Sequence, residues 1–181
     1  MIALRQVTDP ADSAADGVIA LYQDAFAEPP YLEIHHASDV RRHTWRRFCG
    51  HCMVVAERDA QVVGFACALR LSDHPDPVIA AFVGGQPDFG GVVDRTLYMA
   101  ELAVAPEVRG ERLGSRLVDA RLTWSRTQNM DHYVMRTDPD RSLSTRIYVN
   151  RGGRPLSALQ DLGSQAHSAS RYRRFFWGPV G

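Results

Sequence analysis

The chain has 181 residues, of which 45% are hydrophobic, and its 21 basic and 21 acidic residues give a formal net charge of zero. This length predicts a single domain over residues 1–181, and the balanced charge gives no electrostatic basis for binding nucleic acid or an anionic membrane. No apolar run approaches the roughly 18 residues that a membrane span requires, and the N-terminus lacks the long apolar core of a signal peptide.

The hydrophobic pattern predicts strands and helices in alternation along the chain. In chain order these are a strand at 1–7, helices at 9–28 and 38–50, strands at 51–57, 61–71 and 94–104, a helix that opens within 109–115, a strand at 131–137, a short helix at 142–153, and strands at 154–161 and 167–177. Residues 72–92, with three prolines and four glycines, are interpreted as a long loop. This order predicts an α/β domain with a mixed central sheet of about seven strands, flanked by about four helices.

Two of the predicted helices carry an apolar face at helical spacing. In the first helix this face consists of Val18, Leu21, Tyr22, Ala25 and Phe26. In the third helix it consists of Leu113, Leu117, Ala120 and Trp124. The prolines within 28–36 must end the first helix, because proline cannot continue a helix interior.

Residues 109–115, RGERLGS, place two glycines where the third helix begins. The backbone N–H groups that open a helix have no partners inside it, and with the helix dipole they form an anion site that glycines let a ligand approach. The spacing therefore indicates a loop for a phosphate or pyrophosphate, or else an ordinary strand-to-helix turn with one glycine for geometry. Two known phosphate loops do not fit, because the chain has no lysine for a Walker loop and only Gly110 and Gly114 for a dinucleotide fingerprint.

Residues 102–117, LAVAPEVRGERLGSRL, resemble the acetyl-coenzyme A motif of the GNAT superfamily of N-acetyltransferases. In that motif a strand ending in L-x-V is followed by a proline and then by [RQ]-x-x-G-x-[GA], which leads into a helix. Arg109 and Gly114 match the first and last positions, whereas Arg112 stands where the middle glycine is usual. We expect Arg112 to keep an ordinary helical φ, to present its N–H to the ligand, and to reach a phosphate with its side chain.

A second segment, STRIYVNRGG at 144–153, is similar to the later A-x-x-[LI]-Y-x-[RK]-x-G-F segment of the same family. Tyr148 and Gly152 match that segment. Ser144 and Gly153 replace its alanine and its phenylalanine. The order of elements also matches the family over nearly the whole chain, so the resemblance implies a GNAT-like fold.

The resemblance implies that acetyl-coenzyme A is the acyl donor and that no metal is needed. It further implies that the loop amides cradle the coenzyme pyrophosphate, while the end of the preceding strand exposes backbone groups to the pantetheine arm. The residues implied to bind the coenzyme are Leu102, Ala103, Val104, Arg109, Gly110, Glu111, Arg112, Leu113, Gly114 and Ser115. In this family the last two strands of the fold either close the acceptor side or form a dimer interface. The resemblance therefore implies that the protein could form a homodimer.

Amine acetylation needs a base, an oxyanion donor and a proton for the leaving thiolate. Glu101 is the candidate base, because strand alternation places its carboxylate among apolar neighbours, a setting that suits a base working near neutral pH. The alternative for Glu101 is a structural ion pair with an arginine. The family implies the backbone N–H of Val104 or a neighbour as oxyanion donor. It implies Tyr148 as the acid, whose alternative is a ring packed under the sheet with its hydroxyl in water.

Residues 25–36, AFAEPPYLEIHH, are expected to wall the acceptor pocket together with residues 72–92, and Phe26, Tyr31 and Glu33 are the candidate contacts. We expect the acceptor to be a primary amine on a small molecule, such as an amino acid, an amino sugar or a polyamine, which attacks the thioester directly in a ternary complex. A protein N-terminus or lysine side chain is the alternative acceptor. A non-catalytic domain that binds or senses acyl-coenzyme A is the alternative from another class.

The sequence CGHC at 49–52 matches the dithiol motif of disulfide isomerases. Here it closes a helix and opens a strand, so the helix dipole has the wrong sign to lower the thiol pKa. A zinc site built from Cys49, Cys52 and nearby histidines lacks a second clear ligand pair. With Cys67 the chain has three cysteines, and this odd set fits a reducing cytoplasm.

Overall fold

The computed structural model describes residues 1–29, 31–139, 145–163 and 171–181. The strands are β1 Ala3–Val7, β2 Cys52–Arg58, β3 Gln61–Arg70, β4 Thr96–Val104, β5 His132–Thr137, β6 Arg154–Asp161 and β7 Tyr172–Pro179. The helices are α1 Ala15–Ala27, α2 Ala37–Val40, α3 Arg46–Cys49, α4 Pro77–Gly84, α5 Leu113–Thr127 and α6 Thr145–Val149. Residues 142–144 of the predicted short helix and 167–170 of the last predicted strand lie outside the described residues.

The described strands form one mixed sheet in the order β1-β2-β3-β4-β5-β7-β6. β1, β2 and β3 pair antiparallel, β4 and β5 pair in parallel, and β7 pairs antiparallel with both β5 and β6. The predicted mixed sheet of about seven strands is therefore confirmed. A π-helical turn, Arg41–Trp45, joins α2 to α3, so these form one continuous helix. The described residues thus contain five helices where about four were predicted.

The chain divides into two compact units. The first consists of Met1–Ala68 and Glu101–Arg121, and the second of Leu69–Ala100 and Leu122–Gly181. Within the described residues of both units, no helix has the length and hydropathy that crossing a membrane would demand.

In the first unit, β3 separates two packing layers, because successive strand residues point to opposite faces. Gly64 faces α5, where an added Cβ would lie 3.0 Å from the Leu113 side chain. Glycine therefore allows the helix to approach the strand closely. On the other face, the ring centroid of Phe65 lies 6.1 Å from that of Tyr22 on α1.

The buried stripe of α5 differs from the predicted apolar face. Leu113 and Leu117 are buried as predicted, but Ala120 and Trp124 are only half-buried. The stripe continues instead through Val118, Arg121, Leu122 and Ser125. Arg121 is fully buried, and its Nη1 donates to the Cys67 carbonyl at 3.2 Å. An apolar pattern does not predict this core position, because a charged residue occupies it.

Residues 72–92 contain a helix, so the prediction of a loop throughout this segment was wrong. α4 begins at Pro77, whose fixed φ suits the first helical turn. The Asp76 carboxylate caps the helix by accepting from the Val78 N–H at 3.0 Å. Ile79 is buried in the second unit. The cap and the apolar run behind it outweigh the proline and glycine content that suggested a loop.

The second unit packs aromatic side chains on β5 and β7. The ring of Phe175 on β7 lies 5.3 Å from the ring of Phe82 on α4, centroid to centroid. Tyr133 on β5 is fully buried, and its hydroxyl donates to the Tyr148 carbonyl at 3.0 Å. Gly152 follows α6 with φ +78°, the left-handed conformation expected of a glycine that closes a helix.

Candidate functional site

The loop between β4 and α5 carries two residues in the left-handed region of backbone space. Gly110 has φ +90° and Arg112 has φ +60°. A Cβ added at Gly110 would meet nothing within 4 Å, so backbone conformation rather than space favours glycine there. Together these residues turn the chain sharply between the end of β4 and the first turn of α5.

The N-terminus of α5 opens directly from this turn. A hydrogen bond of 3.2 Å from the Arg116 N–H to the Arg112 carbonyl starts the helix. The N–H groups of Leu113 and Gly114 precede that bond and have no acceptor within the helix. With the dipole of a 15-residue helix behind them, these groups form an anion site. The geometry therefore fits the phosphate or pyrophosphate that the sequence predicts.

Arg112 does not keep an ordinary helical φ, so that expectation was wrong. A left-handed conformation costs a residue with a Cβ roughly 1–2 kcal/mol, and glycine avoids this cost. The middle glycine of the motif therefore stands at a position that needs left-handed backbone. Here the chain keeps that backbone with an exposed arginine in a strained conformation.

Two ion pairs tie the loop to the rest of the first unit. Arg109 Nη2 lies 2.9 Å from Glu28 Oε2, and Arg109 Nε donates to the Val104 carbonyl at 3.4 Å. Glu111 Oε2 lies 2.5 Å from Arg58 Nη2. Glu28 is therefore paired with the first arginine of the motif.

β4 connects this loop to the candidate base. Among the described residues, its parallel pairing with β5 runs from Thr96 to Met99, whereas the strand itself continues to Val104. Residues 102–104 therefore carry backbone groups on that edge which the ladder does not use. Such groups are what a pantetheine arm would need for hydrogen bonding.

Glu101 is half-buried, and its charge acts on Tyr22 of α1. Burial raises the pKa of the Tyr22 phenol, and the negative charges of Glu101 and Glu33 raise it further. A hydrogen bond between Tyr22 and Thr44 opposes this shift. The Cys67 thiol also lies within 3.9 Å of the Glu101 carbonyl. Glu101 and Glu33 thus share one environment around the Tyr22 ring.

The segment after α1 brings the three expected acceptor residues together. The rings of Phe26 and Tyr31 lie 5.2 Å apart, and the Phe26 carbonyl accepts from the Glu33 N–H at 2.8 Å. Two further residues that the sequence analysis did not assign to this site complete the cluster. Tyr22 stacks on Phe26 at 4.4 Å, and His35 Nε2 lies 3.0 Å from Glu33 Oε2. The four-residue spacing of Tyr22 and Phe26 on a helix could have predicted their contact. The contact of His35 with Glu33 depends on how the chain turns after α1, which the sequence pattern does not indicate.

Tyr148, the candidate acid, lies in the second unit and is 2% exposed. Its ring centroid lies 6.1 Å from that of Tyr133. Burial raises the pKa of Tyr133 to about 12, and the neighbouring Tyr148 adds to the shift. The Tyr148 ring is therefore packed, as the alternative to the acid role expected. The side chain is too deeply buried for its hydroxyl to lie in bulk water, which that alternative also expected.

The CGHC segment does not form a reactive dithiol. Cys49 ends α3 and Cys52 begins β2, as predicted, and both side chains are buried. Burial raises the pKa of Cys49 to about 11 and that of Cys52 to about 12. Both thiols are protonated at neutral pH, which opposes redox chemistry. In the part of the chain that the structure describes, no group of three or more histidines, cysteines and acids is arranged to hold a metal.

Several solved structures share this fold at low sequence identity. An N-acetyltransferase from Staphylococcus aureus Mu50 is 13% identical with a TM-score of 0.73, over 100% of this chain and 99% of that one. An acetyltransferase from Salmonella typhimurium, solved with its cofactor acetyl-CoA, is 14% identical with a TM-score of 0.71, over 100% and 95%. A ribosomal-protein-alanine N-acetyltransferase from Brucella melitensis is 18% identical with a TM-score of 0.69, over 98% and 99%. These likenesses confirm the GNAT-like fold.

Among curated protein sequences, none matches this chain. The sequence model of the acetyltransferase (GNAT) family matches residues 18–152. This match covers more than half of the chain and includes the segment at 102–117 and all but the last residue of the segment at 144–153. It confirms the predicted enzyme class, an acyltransferase that uses acetyl-coenzyme A. The chain belongs to the acetyltransferase (GNAT) family.

Proposed function

We propose that this protein is an N-acetyltransferase whose acceptor is a primary amine of a small molecule, attacking acetyl-coenzyme A directly in a ternary complex. The observation that carries the proposal is the course of β4. This strand holds the half-buried Glu101 beside an aromatic cluster and then leads, through Val104, into the anion-binding loop at 109–115. One continuous segment thus supplies a candidate base and a coenzyme loop.

We assign the coenzyme pyrophosphate to the N–H groups of Leu113 and Gly114, with the turn at Gly110 bringing the backbone close. We assign the pantetheine arm to the backbone groups of residues 102–104, which lie beyond the β4–β5 ladder. The coenzyme supplies a thioester carbonyl, and the chain contributes the position and the proton transfers. No group in this assignment requires a metal ion.

The reaction needs a proton acceptor before attack and a proton donor after it. Glu101 takes a proton from the ammonium form of the acceptor, which leaves a neutral nitrogen to attack. The backbone N–H of Val104 or a neighbour stabilises the carbonyl oxygen as negative charge develops on it. Family resemblance assigns the proton for the leaving thiolate to Tyr148.

The composition of the cluster supports a cationic acceptor. Glu33 and Glu101 place negative charge beside Tyr22, and the rings of Phe26 and Tyr31 lie on the same segment. Carboxylates and aromatic faces both attract a protonated amine.

Free, buried cysteines support a cytoplasmic location for this enzyme. Cys49, Cys52 and Cys67 are all unbridged and buried. Structural disulfides are rare where glutathione and thioredoxin keep thiols reduced. We therefore infer that the protein works in the cytoplasm.

A screen of amine pools tests the proposal. The protein is incubated with acetyl-coenzyme A and one candidate acceptor at a time: amino acids, amino sugars, polyamines, a peptide with a free N-terminus or a lysine peptide. Release of free thiol is measured, and the products are identified by mass spectrometry. We expect one small-amine pool to give thiol and an N-acetylated product. Faster acetylation of a peptide would overturn the acceptor assignment. Coenzyme binding without any amine-dependent thiol release would indicate a sensing domain.

A further inference from the structure

Arg109 opens the coenzyme motif, yet its guanidinium is paired with Glu28, the residue that directly follows α1. Its Nη2 lies 2.9 Å from Glu28 Oε2, and the two side chains are 49% and 48% exposed. Its Nε also donates to the Val104 carbonyl at 3.4 Å. The motif's arginine is thus held at the end of β4 by two acceptors of its own chain.

Glu28 also anchors the segment that carries the acceptor residues. It follows the last residue of α1, and its carbonyl accepts from the N–H groups of Tyr31 and Leu32, both at 3.2 Å. Leu32 is exposed and has φ +55°, a left-handed conformation that is strained for a residue with a Cβ. Glu28 therefore contacts the loop at 109–115 with its side chain, and its backbone accepts the hydrogen bonds of the turn that leads to Tyr31 and Leu32, here called the acceptor turn.

The ion pair faces a cavity large enough to admit a ligand group. This cavity, of about 770 Å³, is lined by Glu28 and Arg109 together with Val104 and Glu107. A pyrophosphate offers more negative charge than a carboxylate and accepts paired hydrogen bonds from a guanidinium. An ion pair between half-exposed groups is weak by comparison. An arriving pyrophosphate should therefore draw Arg109 away from Glu28.

We propose that Glu28 is a positioning residue that competes with the coenzyme for Arg109 and so links coenzyme binding to the acceptor turn. This inference rests on the proposed function of the loop at 109–115. In the free protein, Glu28 holds Arg109 and keeps the coenzyme loop and the acceptor turn tied together. Once the coenzyme binds Arg109, the Glu28 carboxylate is released beside the turn that carries Tyr31.

Titration calorimetry with acetyl-coenzyme A tests this competition. Glu28→Gln removes the competing charge, so Kd should fall about two- to fivefold, as expected for loss of a half-exposed ion pair. Glu107→Gln is the matched control, because Glu107 lines the same cavity and loses the same charge. In kinetics, the KM for acetyl-coenzyme A should fall in Glu28→Gln while kcat stays within about twofold of wild type.

A double-mutant comparison separates the effect of the Arg109–Glu28 ion pair from the general electrostatic effect of removing a negative charge from the cavity. In an Arg109→Ala background, Glu28→Gln should leave the Kd for acetyl-coenzyme A unchanged. An equal gain in that background, or the same gain from Glu107→Gln, would overturn the competition. Unchanged affinity in Glu28→Gln alone would also overturn it, while the proposed function would stand. A wild-type protein that does not bind the coenzyme would remove both.

Discussion

The hydroxyl of Tyr133 donates a hydrogen bond of 3.0 Å to the backbone carbonyl of Tyr148. The Gly153 N–H donates to the same carbonyl, also at 3.0 Å. This shared acceptor connects β5 to the end of α6 and holds the segment that carries the candidate acid. It allows the chemistry of Tyr148 to be separated from its structural surroundings.

Tyr148→Phe tests the acid assignment, because it removes only the phenolic oxygen. Loss of a general acid should lower turnover roughly 10²- to 10⁴-fold with little change in coenzyme affinity. Tyr133→Phe is the control, since its hydroxyl supports the fold and its loss should cost about 1 kcal/mol of stability. Near wild-type turnover in Tyr148→Phe would mean that water or the protonated amine supplies the proton.

Gly153 stands where the family segment usually has phenylalanine, and the structure explains the glycine. An added Cβ would lie 2.7 Å from Tyr133 Oη and 2.8 Å from the Tyr148 carbonyl oxygen. Gly153→Ala should therefore lower the free energy of unfolding by roughly 1–3 kcal/mol through overpacking. Urea denaturation measures this loss, and Tyr133→Phe should partly relieve it. An alanine variant as stable as wild type would show that the segment shifts freely.

The left-handed backbone at Arg112 gives a prediction about two substitutions that both remove the guanidinium. Arg112→Gly should be more stable than Arg112→Ala by about 1 kcal/mol, because only glycine adopts φ +60° without strain. Comparing these variants by urea denaturation isolates the backbone effect from the loss of charge. Equal stability would place residue 112 in an ordinary helical conformation.

The ion pair of Arg5 and Asp12 predicts a pH dependence of stability. Hydrogen bonding from Arg5 Nη1, at 2.7 Å, lowers the pKa of Asp12 from 3.8 to about 2. Because the folded pKa is depressed, the stabilisation is present above pH 4 and is lost as the pH falls through 2. Because Arg5 is partly exposed, solvent screening limits the stabilisation by this ion pair to about 1 kcal/mol. Asp12→Asn should therefore be less stable than wild type at pH 7, and in denaturation experiments the difference should shrink below pH 4 and vanish once the pH is below about 2. A constant difference at all pH values would contradict the assignment.

The strands were predictable because their signal is local. The sequence predicts a strand at 154–161, which the structure has as β6, Arg154–Asp161. The face of α5 was harder to predict, because Arg121 is fully buried and breaks the apolar count. α4 was missed because the capping pair of Asp76 and Pro77 lies within a segment rich in prolines and glycines.

Some features of the candidate site could likewise be predicted from the sequence, and others could not. The loop at 109–115 is a contiguous motif, so its position at the start of α5 could be predicted from sequence. The left-handed φ of Arg112 could not, because arginine rarely adopts it. The contact of Glu28 with Arg109 joins residues 81 positions apart and depends on tertiary packing, which no local pattern encodes.

Glu101-assisted N-acetylation is tested most directly by measuring both products, free thiol and N-acetylated amine. The measurement compares wild type with Glu101→Gln, using a reactive amine, between pH 6 and pH 10. In the wild type we expect one mole of N-acetylated amine for each mole of free thiol. Glu101→Gln keeps the shape of the side chain but cannot accept the proton, so its deficit should be greatest near neutral pH. The deficit should shrink at high pH, where neutral amine is abundant. Thiol release without N-acetylated amine, or an equal loss at every pH, would contradict a Glu101-assisted N-acetyltransferase.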